Sequence, residues 1–579
     1  MKSPELLLCV TWPMILALAT LVAPAWAWLR TLAIWAALPI LLLVFLSDSP
    51  EVDFGWLIPG ARLGIDAIAQ VLLPVTAGLW LAAGIFAAHY LPRGRRQRHF
   101  FVWFLLAMTG NFLLLAALDV VTFYLGFALM SFSAYGLVVY AGDARARHAG
   151  RYYMAMVVVG EICVLSAVLM LASYGAVDYQ SLHVLLPDQV RARTNLVTGL
   201  LLIGFGIKVG VFGLHFWLPL AHPVAPAPAS AVLSGAMIKA GMVAWMRLLP
   251  LGYFALEAWG LLLVVIGLVT AFYAVLVGLL QREAKTVLAY SSVSQMGILT
   301  LAIGVGLMFP EFWPLLMPAM LIFITHHSLI KGGLFLSAGL VNHPLRPAMA
   351  RLTMAVMVLG ALALAGGALT SGMVAKTGLK QVLGDLPSGW SAWLPLALTL
   401  SSLATATLML RFLMVAWPRS DRQADAAPVA LAWVLVILSA VALLWPWLLA
   451  DQAVRVYAVS PGALWAASWP LLLAATVVFS VWSLNRRGVL PDLPIVPAGD
   501  LGIVLERFVL AAGQWLNGLA CDTLPRMRAT IAALTGRLVR MGLDSVADLN
   551  PDEVRSMTWT ATATLLLLLA VVFAWLLML

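Results

Sequence analysis

Apolar residues come along this chain in blocks of about twenty, separated by short polar stretches, and not in the narrow stripes of a water-exposed helix. Blocks long enough to cross a bilayer core lie at roughly 5–27, 29–47, 64–90, 99–117, 119–141, 151–174, 195–221 and 227–249. Others follow at roughly 253–281, 286–309, 312–341, 349–383, 390–416, 427–450, 463–484 and 557–578. The pattern predicts an all-α integral membrane protein of about sixteen transmembrane helices. The run from Leu6 to about Ala25 has one preceding lysine, Lys2, and another apolar block directly after it, so it reads as a retained first helix.

The polar stretches test that count. Arg93, Arg95, Arg96 and Arg98 follow the third span, Arg145, Arg147 and Arg151 the fifth, and Arg282 and Lys285 the ninth. Arg346 and Arg351 follow the eleventh, Arg419 and Arg422 the thirteenth, and Arg486 and Arg487 the fifteenth. All come after odd-numbered spans, so one topology places them all in the cytoplasm and the N-terminus outside. The acidic stretch from Asp48 to Asp53 then falls on the outer side. Residues 485–556 differ: apolar Leu505, Val509, Leu510 and Trp515 alternate with Glu506, Arg507 and Gln514, with Arg526, Arg528, Arg537 and Arg540 beyond. Such an amphipathic segment lies along the membrane surface or against partner helices.

Composition agrees with a membrane-embedded chain and removes other classes. Of 579 residues, 63% are hydrophobic and 10% charged, with mean hydropathy +1.00, where soluble proteins carry roughly 25% charged residues. A net charge of +9 would suggest nucleic acid in a soluble protein; here the arginines sit in short loops and act as topology signals, so nucleic acid is not an expected partner. Cys9, Cys163 and Cys521 are far apart with no CxxC or CxxCH spacing, which argues against an iron–sulfur cluster, attached haem or thiolate zinc site. No cofactor site is expected.

Charges inside apolar spans are the candidate chemistry. Glu161 lies in the sixth span, Lys208 in the seventh, Lys239 in the eighth, Lys331 in the eleventh with His327 one turn before it, and Lys376 in the twelfth. Each charge costs about 2.5–3.5 kcal/mol at the bilayer centre, so together they exceed ~10 kcal/mol unless they face protein or water. Snorkelling to an interface fits Lys380, Arg247 and Arg411 near span ends, but not Lys208, Lys239 or Lys331. A buried lysine whose carboxylate partner moves can bind and release a proton near neutral pH. His327 and Lys331 share one helical face, and a proton could pass between them directly or through one water.

Two spans look interrupted. Gly204, Gly206, Gly210 and Gly213 surround Lys208 and lead to His215-Phe216-Trp217-Leu218-Pro219. Gly366, Gly367, Ser371, Gly372 and Gly378 surround Lys376. Broken membrane helices are tolerated where they line a protein or water-filled cavity, and paired breaks point to an ion path between inverted repeats. The expected organisation is N-terminal helices over 1–98, five-helix repeats over 99–249 and 250–417 (spans 4–8 and 9–13), further spans over 418–484, the lateral segment over 485–556 and an anchor helix over 557–579.

The segment Leu214-His215-Phe216-Trp217-Leu218-Pro219-Leu220-Ala221-His222, with Ala225-Pro226-Ala227-Pro228, Lys239 and Arg247, resembles the antiporter-like subunits of respiratory complex I and the Mrp cation/proton antiporters. The stretch Lys285 to Gly297, the run His327 to Leu336 and Ser371-Gly372-Met373-Val374-Ala375-Lys376 agree, and the resemblance covers about residues 60–415. It implies a fourteen-helix core of two inverted repeats with a lateral helix, in layout like the distal complex I subunit. It also implies that Lys208 and Lys376 belong to the two broken helices, that Lys239 and Lys331 form a central relay, and that His327 is a relay histidine. His215, Pro219, His222, Pro226 and Pro228 belong to the helix-break motif. The family's fifth-helix glutamate is missing: Ala128 stands in its place, and Glu161 on the next helix is the candidate replacement.

The expected function is translocation of protons, or of a cation with protons, in the cell inner membrane by one subunit of a complex. The partner is complex I-like, Mrp-like, hydrogenase-like or an inorganic-carbon uptake assembly, and catalysis by this chain alone is not expected. The alternative is a transport-inactive scaffold that anchors an energy-coupled partner.

Overall fold

A computed structural model describes residues 4–22, 26–47, 50–55, 60–173, 178–179, 191–487 and 496–499. The chain divides into two units, Met1–Asp500 and Leu501–Leu579, and every described residue belongs to the first. The expected anchor helix lies outside the described residues, as does the lateral segment apart from 485–487 and 496–499.

Fourteen helices among the described residues are long and apolar enough to cross a membrane. In chain order they begin with α1 (Pro4–Val22), α2 (Trp26–Leu46, with a turn at 35–37), α3 (Ala67–Tyr90), α4 (Arg95–Ala116), α5 (Val120–Val138) and α6 (Ala144–Ser173). The seventh position is split into α7a (Arg191–Val209) and α7b (Trp217–Val224). Then come α8 (Ala227–Leu248), α9 (Glu257–Leu279), α10 (Ala284–Met308) and α11 (Trp313–Leu340). The twelfth is again split, into α12a (Pro347–Ala365) and α12b (Ser371–Gly384), before α13 (Trp390–Val415), α14 (Val429–Leu449), a short helix Gln452–Ala458 and α15 (Pro461–Arg486). The acidic stretch near Asp53 pairs as an antiparallel hairpin, β1 (Glu51–Asp53) with β2 (Arg62–Gly64). Its second strand also meets the turn between α4 and α5, where Leu118 N–H donates to the Arg62 carbonyl (3.0 Å) and Arg62 N–H donates to Asp119 (2.9 Å).

With no hydrophobic drive between helices in lipid, close packing must hold the bundle, and small residues make it possible. Gly267 and Gly297 face each other across α9 and α10, where an added Cβ on either would sit 2.6 Å from the other's carbonyl oxygen. Gly260 and Gly304 repeat the contact two turns away. Exposure then sorts the helices by role. In α8, α10 and α11 nearly every residue is buried, whereas α1, α2, α14 and α15 turn most of their surface outward. Lysine and histidine in the inner helices are therefore surrounded by protein, which is where the polar groups below are found.

Both breaks follow from glycine. α7a ends into Gly210 (φ 77°), and Gly213 (φ 82°) turns the connector toward α7b. α12a ends at Gly366 (φ 82°), whose N–H bonds back to Ala363 and Leu362 carbonyls in a left-handed C-cap. Leu369 (φ 62°) also adopts this region without being glycine, a strained position in the connector. A third irregularity was not expected: α8 contains one π turn at Leu233–Met237. Single π turns in α-helices shift the hydrogen-bond ladder and are frequent at functional sites.

Candidate functional site

The five intramembrane charges singled out in the sequence are all buried: Glu161 6%, Lys208 3%, Lys239 4%, Lys331 0% and Lys376 9% exposed. At those values none reaches an interface by snorkelling. They fall into three groups.

The first group joins α6 and α7a. Lys208 lies in the last turn of α7a, where the half-helix's free carbonyls favour a cation. Its ammonium donates to the Tyr153 hydroxyl (3.4 Å) and lies 5.7–6.0 Å from the ring centres of Phe127, Tyr153 and Trp217. Glu161 and Lys208 line one cavity of about 10 Å³, the scale of a single water, with the Ser131 hydroxyl beside the carboxylate. Phe127, next to the Ala128 position, lines it as well. Trp217, from α7b, closes it and donates to the Ile207 carbonyl (2.7 Å), so the broken helix satisfies its own end.

The second group is central. The π turn offers the Ser234 carbonyl to the Lys239 ammonium, while Ile238 N–H bonds Leu233 one residue further back than in an α-helix. The Ser234 hydroxyl meets the Ser292 hydroxyl of α10 (2.8 Å), which in turn donates to the Leu288 carbonyl (3.1 Å). That same carbonyl accepts from Lys331 (2.8 Å). Lys239 and Lys331 are thus tied through two hydroxyls and two carbonyls across three helices. Among the described residues neither ammonium has a carboxylate within ion-pair distance. His327 shares the Lys331 face, and among the described residues neither of its ring nitrogens has a hydrogen-bond partner, so of the two expected links to Lys331 the direct one is not formed. His222 stacks on Phe335 at 4.4 Å, within electrostatic reach of Lys331, Lys285 and Lys239. Lys285 donates to the Ala225 carbonyl (2.7 Å) at the start of α10, so a polar branch leads from the centre toward the end of the bundle where Arg145 pairs with Glu283.

The third group surrounds the second break. Lys376 reaches back from α12b to the last carbonyl of α12a, Ala365 (3.2 Å), and to the Ser402 hydroxyl of α13 (3.1 Å). His326, one residue before the expected relay histidine, bonds Ser371 at the first position of α12b (2.9 Å).

The motif residues act mainly as geometry. His215 sits in the first connector, edge-on to Tyr273 and Tyr290 at 5.6 and 6.3 Å. Pro219 lies in the first turn of α7b, while Pro226 caps α8 and Pro228 occupies its first turn; these places need no backbone N–H.

One expectation needs correction. Arg247 was placed at an interface by its position near a span end, yet it is 3% exposed. It binds Asp66 through one nitrogen to both carboxylate oxygens (2.8 and 2.9 Å) and donates to the Leu114 and Leu115 carbonyls at the end of α4 (2.8 Å each). Asp66 also caps α3 through Ala69 N–H (2.7 Å). The pair is 181 residues apart in sequence, so a charge-by-charge reading could not see it. Tyr179 lies under the Arg247 guanidinium at 5.4 Å. Desolvation raises this phenol above its usual range, so it stays protonated and donates to Ala117 and Asp119 carbonyls (3.1 and 3.2 Å). Arg247 is a structural fastener, and Ser234, Ser292, Ser402 and His326 are the functional candidates the sequence did not flag. Serine and histidine in apolar spans are common, and only their partners single these out.

Among the described residues no group of three His, Cys, Asp or Glu side chains is placed to hold a metal ion. The chain resembles an uncharacterized protein of Mycobacterium tuberculosis, 33% identical over half of this chain and 46% of that protein, so it spans about half that relative's length. It is 32% identical to the NADH-quinone oxidoreductase subunit N of Desulforudis audaxviator, over 62% of this chain and 73% of that subunit. Its fold matches a chain of the Mrp complex from Dietzia with a TM-score of 0.72 at 21% identity, over 94% of this chain and 63% of that one. A family model described as the transmembrane region of NADH:quinone oxidoreductase and Mrp antiporters matches residues 117–407. With half its length matched by that model and two thirds of a curated subunit covered, this multi-pass membrane protein belongs to the NADH:quinone oxidoreductase/Mrp antiporter family.

Proposed function

We propose that this chain carries protons across the cell inner membrane as one subunit of a larger assembly, with its N-terminus outside. The observation that carries the reading is the central pair. Lys239 and Lys331 are buried with no carboxylate partner among the described residues, yet linked by Ser234, Ser292 and the Leu288 carbonyl. Evolving a fold around two unpaired ammonium groups is costly in a membrane unless the charge is used. Lysine, serine and histidine suit protons rather than sodium, because a charged ammonium cannot ligate a metal cation. Glu161 and Lys208 form the first part of the route, Lys239 and Lys331 with His327 beside them its centre, and Lys376 with Ser402 the last part.

The family and its NADH-quinone oxidoreductase relative support a complex I-like or Mrp-like energy-coupled partner, with a hydrogenase-like or inorganic-carbon uptake assembly as the further alternatives raised by the sequence. A scaffold without transport is the competing reading, and Ala128 in place of an acid is what favours it. Against it stands the cavity that Glu161 of α6 and Lys208 line together, which supports Glu161 as the replacement carboxylate. Proton flux in vesicles holding the intact assembly decides between them. Lys239→Ala abolishes flux if the lysines conduct, and a wild-type rate in that variant leaves only the scaffold.

A further inference from the structure

We infer that His326, and not the neighbouring His327, hands protons between the central lysines and Lys376, and that it does so through Ser371. The inference rests on the proton-translocation reading above and adds a residue and a route to it.

Adjacent residues on a helix point about 100° apart, so His326 and His327 cannot serve the same side of α11. His326 is the one turned to the second broken helix. Its Nδ1 meets Ser371 Oγ at 2.9 Å, and Ser371 is the first residue of α12b, just after the break. Both side chains are buried. Gly372 makes room for the contact, because a Cβ there would press on the Ala363 carbonyl and stand 3.1 Å from His326 Cε1. The other ring nitrogen, Nε2, is buried with no protein partner among the described residues. Lys376 and Lys239 both lie within electrostatic reach of the ring. His327, in contrast, has no hydrogen-bond partner at either ring nitrogen among the described residues, and the lysines within its electrostatic reach are the central pair, Lys239 and Lys331.

An imidazole held this way can pass a proton without moving far. A proton arriving from the centre forms a new N–H bond at Nε2. The N–H bond at Nδ1 then breaks, and its proton goes to Ser371 Oγ while the hydroxyl's own proton leaves, through water, for the neutral amine of Lys376. One proton enters and one leaves. The ring ends in its other tautomer, and a ring rotation with a turn of the hydroxyl resets it. The break in the twelfth helix thus has a use beyond ending a helix: it brings a hydroxyl, rather than a backbone amide already bonded in a helix, to the histidine.

The test is proton flux driven by an imposed potential in membrane vesicles containing the full chain in its native assembly, normalised to the amount of assembled chain. His326→Asn keeps a polar group of similar reach but cannot take a proton at one end and release it at the other; a loss of tenfold or more is expected. Ser371→Ala removes one oxygen from a site that packs normally without it, and is expected to lose a similar factor. Ser371→Thr restores the hydroxyl and most of the rate, which a packing role would not produce. Lys239→Met is run alongside. If it stops flux while His326→Asn and Ser371→Ala stay within twofold of wild type, the route through His326 is overturned and the broader reading survives. If Lys239→Met also conducts at the wild-type rate, the broader reading falls and this one with it.

Discussion

Two buried cations of this protein, Lys239 and Arg247, sit eight residues apart on one helix, and the structure predicts opposite consequences for removing them. Arg247 is paired with Asp66 and donates to two carbonyls at the end of α4. Breaking a buried ion pair costs about 3–5 kcal/mol. The Asp66 side chain is 30% exposed and regains water, so Arg247→Met falls near the lower end, at about 3 kcal/mol. Among the described residues Lys239 has no carboxylate partner and one carbonyl acceptor. Methionine of similar length relieves about 2.5–3.5 kcal/mol of intramembrane charge. It forfeits one charge-assisted hydrogen bond of about 1.5–3 kcal/mol. The balance for Lys239→Met lies between about −0.5 and +2 kcal/mol in favour of the variant. A residue that lowers stability and is nevertheless kept has a use elsewhere, the usual trade between stability and function. Equilibrium unfolding in mixed micelles measures the first quantity and proton flux in vesicles the second. Arg247→Met should unfold early, and Lys239→Met should lose no more than about 0.5 kcal/mol relative to wild type while conducting nothing. If both variants lose similar stability, or Lys239→Met keeps its flux, the division into a fastening charge and a working charge is wrong.

Glu161→Gln and Lys208→Met should each lower flux by a similar factor, and the double variant by no more than either alone, because groups that act as a unit are not additive; independent losses in flux would show that the shared cavity does not couple them. Ser292→Ala, which cuts the hydroxyl bridge between Lys239 and Lys331, should slow flux several-fold with unchanged expression, and a normal rate would remove that bridge from the route. Gly297→Ala should destabilise by about 1–3 kcal/mol, since its Cβ would press on the α9 backbone. Gly333→Ala, with open space at the same kind of position, should gain about 0.5–1 kcal/mol; equal melting of the two in a thermal scan would refute the glycine-packing account of α9 and α10.

The bilayer makes one part of this protein legible from residues alone. Hydrocarbon thickness fixes how long an apolar run must be, so the position of nearly every described helix could be read along the chain. Glycine at Gly210 and Gly366 likewise announced both breaks, because a left-handed backbone is a local property of one residue. The intramembrane charges stood out for the same reason: burial in an apolar run is a statement about neighbours in sequence. Their partners are a statement about neighbours in space. Nothing near Arg247 in the chain reveals Asp66, and nothing in the dipeptide His326-His327 says which imidazole meets Ser371, since a rotation of one helix by a third of a turn would exchange them. The π turn that presents Ser234 to Lys239 is equally silent in sequence, for it depends on a ladder shift that packing selects. Local chemistry therefore determined which side chains lie in the membrane. Helix rotation and close contact, set by the assembled bundle, decided which of them are tied down and which remain to move a proton.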